Sequence, residues 1–152
     1  MRLAGKTMEE VRDWVEETKG RVAQWFTVDD LNHLKRGGRI SAAQAFVGGM
    51  LGVKPILRMN DTGHLETADK VRGRQAALQR LLKQLETTGV NFSEETIYVT
   101  HSDCAEEAEQ FAAQIRERFK PKEVVVNFLN PVVGSHTGLG LISALFLGTG
   151  RD

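Results

Sequence analysis

The sequence predicts an α/β fold in which a mixed β-sheet of about five to six strands packs with helices. Short runs of β-branched and aromatic residues alternate with longer segments whose apolar residues recur every three or four positions. Two strand-like runs, 96–101 and 123–129, flank a helix-like segment, 105–119, with the spacing of a βαβ unit. A chain of 152 residues is long enough to bury one sizeable core.

The first predicted element is a helix from Thr7 to Lys19. Thr7 and Glu10 have the spacing of a capping box, and Gly20 stops the helix. Apolar residues recur at helical intervals at Met8, Val11, Trp14 and Val15. The segment is therefore an amphipathic helix.

A strand and two further helices are predicted next. Residues 22–28 are rich in β-branched and aromatic side chains, and Asp29-Asp30 are placed to cap a short helix after this strand. Ser41 caps a second helix, Ala42 to Leu51, made almost entirely of small and apolar residues. A helix without a polar face either packs in the core or lines an apolar cavity, and both interpretations stay open here.

A pair of strands is predicted over 53–59 and 64–71. The residues between them, Asn60 to Gly63, favour a hairpin turn. Pro55 has no backbone N–H group, so we expect the first strand to be an edge strand or to begin near Pro55.

The remaining elements alternate between helix and strand. A long helix carries a leucine stripe, and the last segment before the final strand is rich in glycine and hydroxyl residues. The predicted elements are a helix over 73–88, a strand over 96–101, a helix over 105–119, a strand over 123–129, a loop over 132–140 and a strand ending at Leu147.

Composition excludes several classes of function. The chain has 20 basic and 20 acidic residues, which argues against a general nucleic-acid-binding or anionic-membrane surface. No apolar stretch approaches the length of a membrane span. The single Cys104 favours a reducing, cytoplasmic location. The histidines and carboxylates lack metal-ligand spacing, so we expect no metal and no cofactor.

The segment Lys35-Arg36-Gly37-Gly38-Arg39 is the first candidate site. Two glycines between cations allow a ligand to approach the backbone closely, and Arg39 would lie beside exposed N–H groups, which suits an anion. The alternative is that Gly37 and Gly38 only end one helix before the next begins, with Arg39 in solvent.

The second candidate is His136, which lies between Ser135 and Thr137 and near several glycines. We expect a flexible, hydroxyl-rich loop in which the imidazole helps to bind a carboxylate or phosphate. The alternative is a turn histidine that hydrogen-bonds only to solvent.

His101 is a third candidate, because it ends a predicted strand, where open α/β sheets bind ligands. The simpler interpretation is that His101 packs at the strand end and that Ser102 or Asp103 caps the next helix. An enzyme that uses His101 and His136 on a phosphate ester is disfavoured, since no general base or metal site accompanies them.

Four segments together resemble the DegV family of fatty-acid-binding proteins. They are Phe26 to Ser41, Leu51 to Leu57, Lys70 to Gly73 and Gly134 to Gly140, in the order that the family has them. The similarity covers nearly the whole chain.

The resemblance implies that this chain is half of a two-domain protein. DegV proteins hold an acyl chain in a tunnel between two domains, and the carboxylate is bound mainly by hydroxyl residues of the first domain. Residues 1–20 would be a linking helix from that absent domain, and residues 21–152 would be the C-terminal α/β domain. The chain would then supply only half of the binding site.

The resemblance also implies roles for particular residues. Arg39, after Gly38, would be the cation near the carboxylate, and His136 would be a second polar group there, with Thr137 close by. The helix Ala42 to Leu51, including Phe46 and Met50, would form tunnel wall. Where the family usually has proline between Gly138 and Gly140, this chain has Leu139.

The implied function is binding rather than catalysis. The chain would carry a long-chain fatty acid and present its carboxyl group to a dihydroxyacetone-kinase-like fatty acid kinase, which forms an acyl phosphate. The alternative is a fragment, or a subunit that forms a homodimer through its exposed tunnel wall and has no ligand of its own.

Overall fold

The computed structural model describes residue 1, residues 4–41 and residues 52–151. Its elements are α1 (Met8–Thr18), β1 (Val22–Thr27), α2 (Leu31–Arg36), β2 (Val53–Met59), β3 (Leu65–Arg72), α3 (Arg74–Thr88), β4 (Thr96–His101), α4 (Ala105–Phe119), β5 (Glu123–Phe128), α5 (Pro131–Thr137) and β6 (Ile142–Leu147), with 3₁₀ turns at Lys19–Arg21 and Phe92–Glu94. The predicted helix over 42–51, with Phe46 and Met50, lies outside the described residues.

The described strands form one mixed sheet in the order β3-β2-β1-β6-β4-β5. Strands β4 and β5 are parallel, as the βαβ spacing predicts, and every other neighbouring pair is antiparallel. The prediction of a mixed sheet of five to six strands is therefore confirmed. The last strand, β6, lies in the middle of the sheet between β1 and β4.

One face of the sheet is covered by α3 and α4. Their leucine and phenylalanine stripes contact alternate residues of β1, β4 and β6, as the period of two along a strand requires. The fully buried members of this main core include Leu81, Leu85, Ile97, Phe111 and Ile142.

A smaller core lies on the opposite face, at the end of the sheet where α2 packs. Leu31 and Leu34 of α2 contact Phe26 and Leu57 of the sheet, together with Leu141. Among the described residues, α2 covers only this end. The rest of the face carries the cleft described below.

Helix α1 has the predicted capping box, because the Thr7 side chain accepts from the Glu10 backbone and the Glu10 side chain accepts from the Thr7 N–H. Its apolar residues are exposed: Met8 by 84%, Trp14 by 46% and Val15 by 43%. Within the described residues, this apolar stripe has no core to pack against.

Two local predictions are wrong. Residues 131–137 form helix α5 rather than a loop, because Asn130 caps it and Pro131 occupies its first position. The N-cap of α4 is Cys104, not Ser102 or Asp103. Strand β2 begins at Val53, so Pro55 lies near the strand start, as one of the two alternatives predicts. The pairing of β2 with β1 ends at Ile56, so Pro55 is paired with β3 alone.

A test of the main core is the substitution Leu81→Ala. Leu81 is fully buried, so we expect the free energy of unfolding to fall by about 2–5 kcal/mol from lost burial and a residual cavity. Leu139 is 69% exposed, and Leu139→Ala should change the same quantity by less than about 0.5 kcal/mol. Urea unfolding of both variants measures this, and equal losses would contradict the assignment of the core.

Candidate ligand-binding cleft

A cleft of about 810 Å³ lies on the sheet face opposite α3 and α4. This volume falls in the range of small-molecule sites. Its floor is formed by residues of β1, β4, β5 and β6, one wall by the β2–β3 hairpin, and the other wall by residues 128–133. The described lining residues include Gln24, Phe26, Met59, Leu65, Thr100, Leu129, Val133, Leu141, Ser143 and Leu145. Gly38, Arg39 and Thr137 line the same cleft.

The two glycines end α2 in a Schellman motif. The N–H of Arg39 donates to Leu34 O at 2.8 Å, and the N–H of Gly38 donates to Lys35 O at 3.0 Å. Gly38 has φ +69°, which suits glycine. The two alternatives for this segment are therefore both partly right, because the glycines end the helix and also place Arg39 in the cleft lining.

Arg39 is exposed, and its guanidinium Nη1 donates to Gly37 O at 2.6 Å. A guanidinium carries five N–H donors, and this is the one hydrogen bond that the described residues take from it. The remaining donors are available for an anionic ligand, with the planar geometry that suits a carboxylate or a phosphoryl group.

His136 explains why residue 37 is glycine. Gly37 has ordinary helical angles, so its conformation does not require glycine. The imidazole of His136 occupies the space that a Cβ on Gly37 would fill, and its Cγ lies 3.2 Å from that position. Arg39 and His136 therefore meet at Gly37, one at the carbonyl oxygen and the other at the Cα.

Two further glycines pack against side chains of the α2 segment. A Cβ on Gly138 would lie 2.6 Å from Cδ2 of His33, and a Cβ on Gly140 would lie 2.7 Å from Cγ of Asp29. With Gly37 and His136, these contacts join residues 29–37 and 136–140 at three points. We call this set of three contacts the glycine interlock.

Ser102 is hydrogen-bonded to the 138–141 loop from the sheet side. Its hydroxyl donates to Gly138 O at 2.6 Å and accepts from the Leu141 N–H at 2.9 Å. Its backbone is bonded to Gly140 and Leu141 as well. Ser102 therefore positions this loop. Its place directly after a strand in the sequence does not predict this role.

Asp29 is held by cations from two other elements. Its Oδ1 lies 2.6 Å from Nζ of Lys54 and 3.6 Å from Nη1 of Arg74. Arg74 also binds Glu107, with Nη2 and Oε2 2.7 Å apart. This cluster ties the start of α2 to β2, α3 and α4.

Thr137 is buried and lines the cleft. Its hydroxyl donates to Val133 O at 3.2 Å within α5, so its oxygen can still accept a hydrogen bond. His136 is half-buried against Gly37 and does not line the cleft. Of the predicted site residues that the structure describes, Gly38, Arg39 and Thr137 share the cleft, and His136 supports it from behind.

His101 is buried at the end of β4, as the simpler interpretation predicts. Its ring packs edge-on to Phe128, with centroids 5.1 Å apart, and its Nδ1 accepts from the Cys104 N–H at 3.4 Å. Burial raises the pKa of the Cys104 thiol, which disfavours a reactive thiolate.

The described residues hold no group of three or more histidine, cysteine or acidic side chains placed to bind a metal. In the same part of the chain, no helix has both the length and the apolar character needed to cross a bilayer.

The fold and cleft define an α/β domain with a largely apolar cleft that has a cation in its lining. Residues 1–149 match the DegV family, whose description reads "Uncharacterised protein, DegV family". The chain therefore belongs to the DegV family.

Individual relatives support membership of this family. A DegV domain-containing protein of Clostridium perfringens is 44% identical over 152 residues, which are 100% of this chain and 52% of that protein. DegV of Bacillus subtilis, described as a fatty acid binding protein, is 31% identical in its crystal structure, with a TM-score of 0.78 over 97% of this chain and 52% of its own. A Ruminococcus gnavus DegV family protein, refined with vaccenic acid, is 26% identical, with a TM-score of 0.83 over 95% of this chain and 51% of its own. The chain thus spans about half the length of the relatives it matches.

The glycine interlock is tested by Gly37→Ala. The new methyl group would overlap the His136 imidazole, so we expect displaced His136 ring resonances in NMR spectra and a loss of roughly 1–3 kcal/mol of stability. Gly134→Ala is the control, because a Cβ there meets nothing within 4 Å and helical Ala is favoured over Gly. Unchanged His136 resonances in Gly37→Ala would refute the contact.

Proposed function

We propose that this chain supplies half of a binding site for a long-chain fatty acid. The observation that carries the proposal is the 810 Å³ cleft, largely apolar, with the exposed Arg39 guanidinium in its lining. Membership of the DegV family supports the ligand class, since relatives are described as fatty acid binding proteins. Each buried CH₂ group contributes about 0.8 kcal/mol, so an enclosed acyl chain would be held tightly.

The proposal treats the cleft as one wall of a tunnel. Residues 21–152 would form a C-terminal domain, and residues 1–20 would link it to a first domain that the relatives carry in their other half. Two observations support this: among the described residues only the α2 end of that sheet face is covered, and the apolar stripe of α1 is exposed. Both surfaces would be covered in the two-domain form.

In this proposal the residues have distinct roles. Arg39 lies near the ligand carboxylate and acts mainly on charge that develops during phosphoryl transfer, and Thr137 lies at the polar end of the cleft. Gly38 gives the ligand access to the backbone, and His136 fixes the α2 end that carries Arg39. Phe46 and Met50 remain proposed tunnel wall on the resemblance alone.

We further propose that the protein is a carrier rather than an enzyme, and that a dihydroxyacetone-kinase-like fatty acid kinase phosphorylates the bound carboxyl group. Arg39 supports this role because it is exposed and has free donors beside the cleft. A guanidinium there would stabilise charge that develops on a transferring phosphoryl group.

The rival function is a self-associating subunit without a ligand. Its support is a cluster of exposed apolar side chains near α5, with Phe128 exposed by 66%, Val132 by 73% and Leu139 by 69%. Extraction of the purified chain followed by mass spectrometry, with light scattering, separates the two. A carrier returns fatty acid, whereas the rival returns a homodimer without lipid.

The half-site proposal predicts that the chain alone binds a fluorescent fatty acid at least about tenfold more weakly than the chain joined to the other half of the Clostridium perfringens relative. The reason is that half of the tunnel wall and the hydroxyl groups of the first domain are absent. Fluorescence titration of both proteins measures the difference.

The isolated first half of the relative is the control for this comparison. If the chain alone binds as tightly as the joined protein, the half-site proposal is wrong. If neither protein binds, the fatty-acid function itself fails.

In the two-domain form, Arg39→Ala should lower acyl-phosphate formation by about 10²-fold while fatty-acid binding changes much less, because the guanidinium acts mainly on developing phosphoryl charge. Kinase turnover and lipid titration give the two values. Lys35→Ala is the control, since Lys35 is an exposed cation on the same helix that does not line the cleft. Full turnover by Arg39→Ala would remove Arg39 from this role.

A further inference from the structure

A row of polar side chains crosses the floor of the cleft. The strand register places Ser143 of β6 opposite Thr100 of β4, and Thr100 opposite Asn127 of β5. These three residues share one face of the sheet, and all three line the cleft. We call them the polar row.

The residues that continue this row across β1 and β2 are apolar. Ser143 pairs with Phe26 of β1, and Phe26 pairs with Leu57 of β2. The neighbouring row toward the far end of the cleft contains Gln24, Leu145, Tyr98 and Val125, of which Gln24 and Leu145 line the cleft. The polar row is therefore the part of the described floor where three polar side chains are adjacent.

The polar row has hydrogen-bonding groups without a partner among the described residues. The hydroxyl oxygens of Thr100 and Ser143 lie 2.6 Å apart, and this bond uses one of their two O–H protons. Within the described residues, the other proton and the amide of the exposed Asn127 have no side-chain or backbone partner. A bare acyl chain laid across these groups would bury them unsatisfied, which is unfavourable.

The position of the polar row relates it to the ligand headgroup. Ser143 is the second residue of β6, and Thr100 and Asn127 each precede the last residue of their strands. The 138–141 loop leads into β6, and β5 leads toward α5, whose last residue is Thr137. Thr137 and Arg39, which follows α2, line the same cleft. A carboxylate at Arg39 would therefore bring the first carbons of the acyl chain over the polar row.

We propose that the polar row selects acyl ligands that carry a second hydrogen-bonding oxygen close to the carboxyl group, of which a 3-hydroxy fatty acid is the simplest. This inference rests on the proposed fatty-acid function and adds the ligand class. The ligand hydroxyl would accept the unused proton of the Thr100–Ser143 pair and exchange a hydrogen bond with Asn127. The rest of the acyl chain would lie on the apolar floor near Leu145 and Met59.

The test compares hexadecanoate, both enantiomers of 3-hydroxyhexadecanoate, and 12-hydroxyhexadecanoate as competitors of a fluorescent fatty acid bound to this chain. One satisfied hydrogen bond corresponds to about a fivefold change in affinity. We expect one 3-hydroxy enantiomer to bind about fivefold more tightly than hexadecanoate, and the 12-hydroxy acid to bind no more tightly.

The variants are Asn127→Leu and the double variant Thr100→Val with Ser143→Ala, which removes both members of the bonded pair together. Each should bring the ratio of the affinities for the 3-hydroxy acid and hexadecanoate to about one. Asn127 is exposed, so Asn127→Leu should fold normally. It therefore tests the proposal even if the double variant does not fold. Thr96→Val is the matched control, because Thr96 lies on the same face of β4 outside the cleft lining.

Each other outcome overturns the inference. Equal binding of all competitors to the unmodified chain, or a preference that survives both variants, removes the polar row as the selecting feature. An equal loss of hexadecanoate and 3-hydroxy acid in the variants would mean that the row binds the carboxylate itself. Failure of every fatty acid to bind, alone or in the joined two-domain form, would instead refute the proposed function.

Discussion

The site depends on the close packing of the α2 segment against residues 136–140. A helix end and a loop can approach this closely only where one partner has no Cβ, and the glycine interlock meets that condition at Gly37, Gly138 and Gly140. Ser102 then fixes the loop from the sheet side through its hydroxyl and backbone groups. The placement of Arg39 and Thr137 in one cleft follows from backbone packing rather than from attraction between their own side chains.

The two faces of the sheet are covered to different extents by the described residues. Helices α3 and α4 cover one face with a continuous core, which gives the domain its stability. On the other face, the described residues cover only the end where α2 packs, and the remaining side chains form the cleft floor. A sheet that keeps apolar side chains on both faces needs a second cover, and the relatives are about twice the length of this chain. The apolar side chains on both faces and the length of the relatives are both consistent with a ligand that lies between this sheet and a second domain.

The hydrophobic pattern of the sequence predicted the strands, the long helices and the parallel β4–β5 pair, because these depend on local period and spacing. The glycine and β-branched residues of helix α5 favour a loop, although Asn130-Pro131 is a helix-start signal. The two glycines after α2 are visible in the sequence, but the reason for Gly37 is its contact with His136, which is distant along the chain. The polar row was also invisible, since it exists only once the register of three strands is known.

The charged and hydroxyl groups of the cleft lie mainly at one end. Arg39, Thr137 and the polar row are gathered at the end where β4 and β5 finish and β6 begins, and the other end carries Met59, Leu65 and Leu145 together with the polar Gln24 and His64. In the proposed fatty-acid site, a carboxylate at that other end would lose the guanidinium of Arg39, and desolvation of an unpaired carboxylate is costly. The proposed ligand would therefore lie with its carboxyl group toward Arg39. A second domain would add enclosure and further contacts to the headgroup.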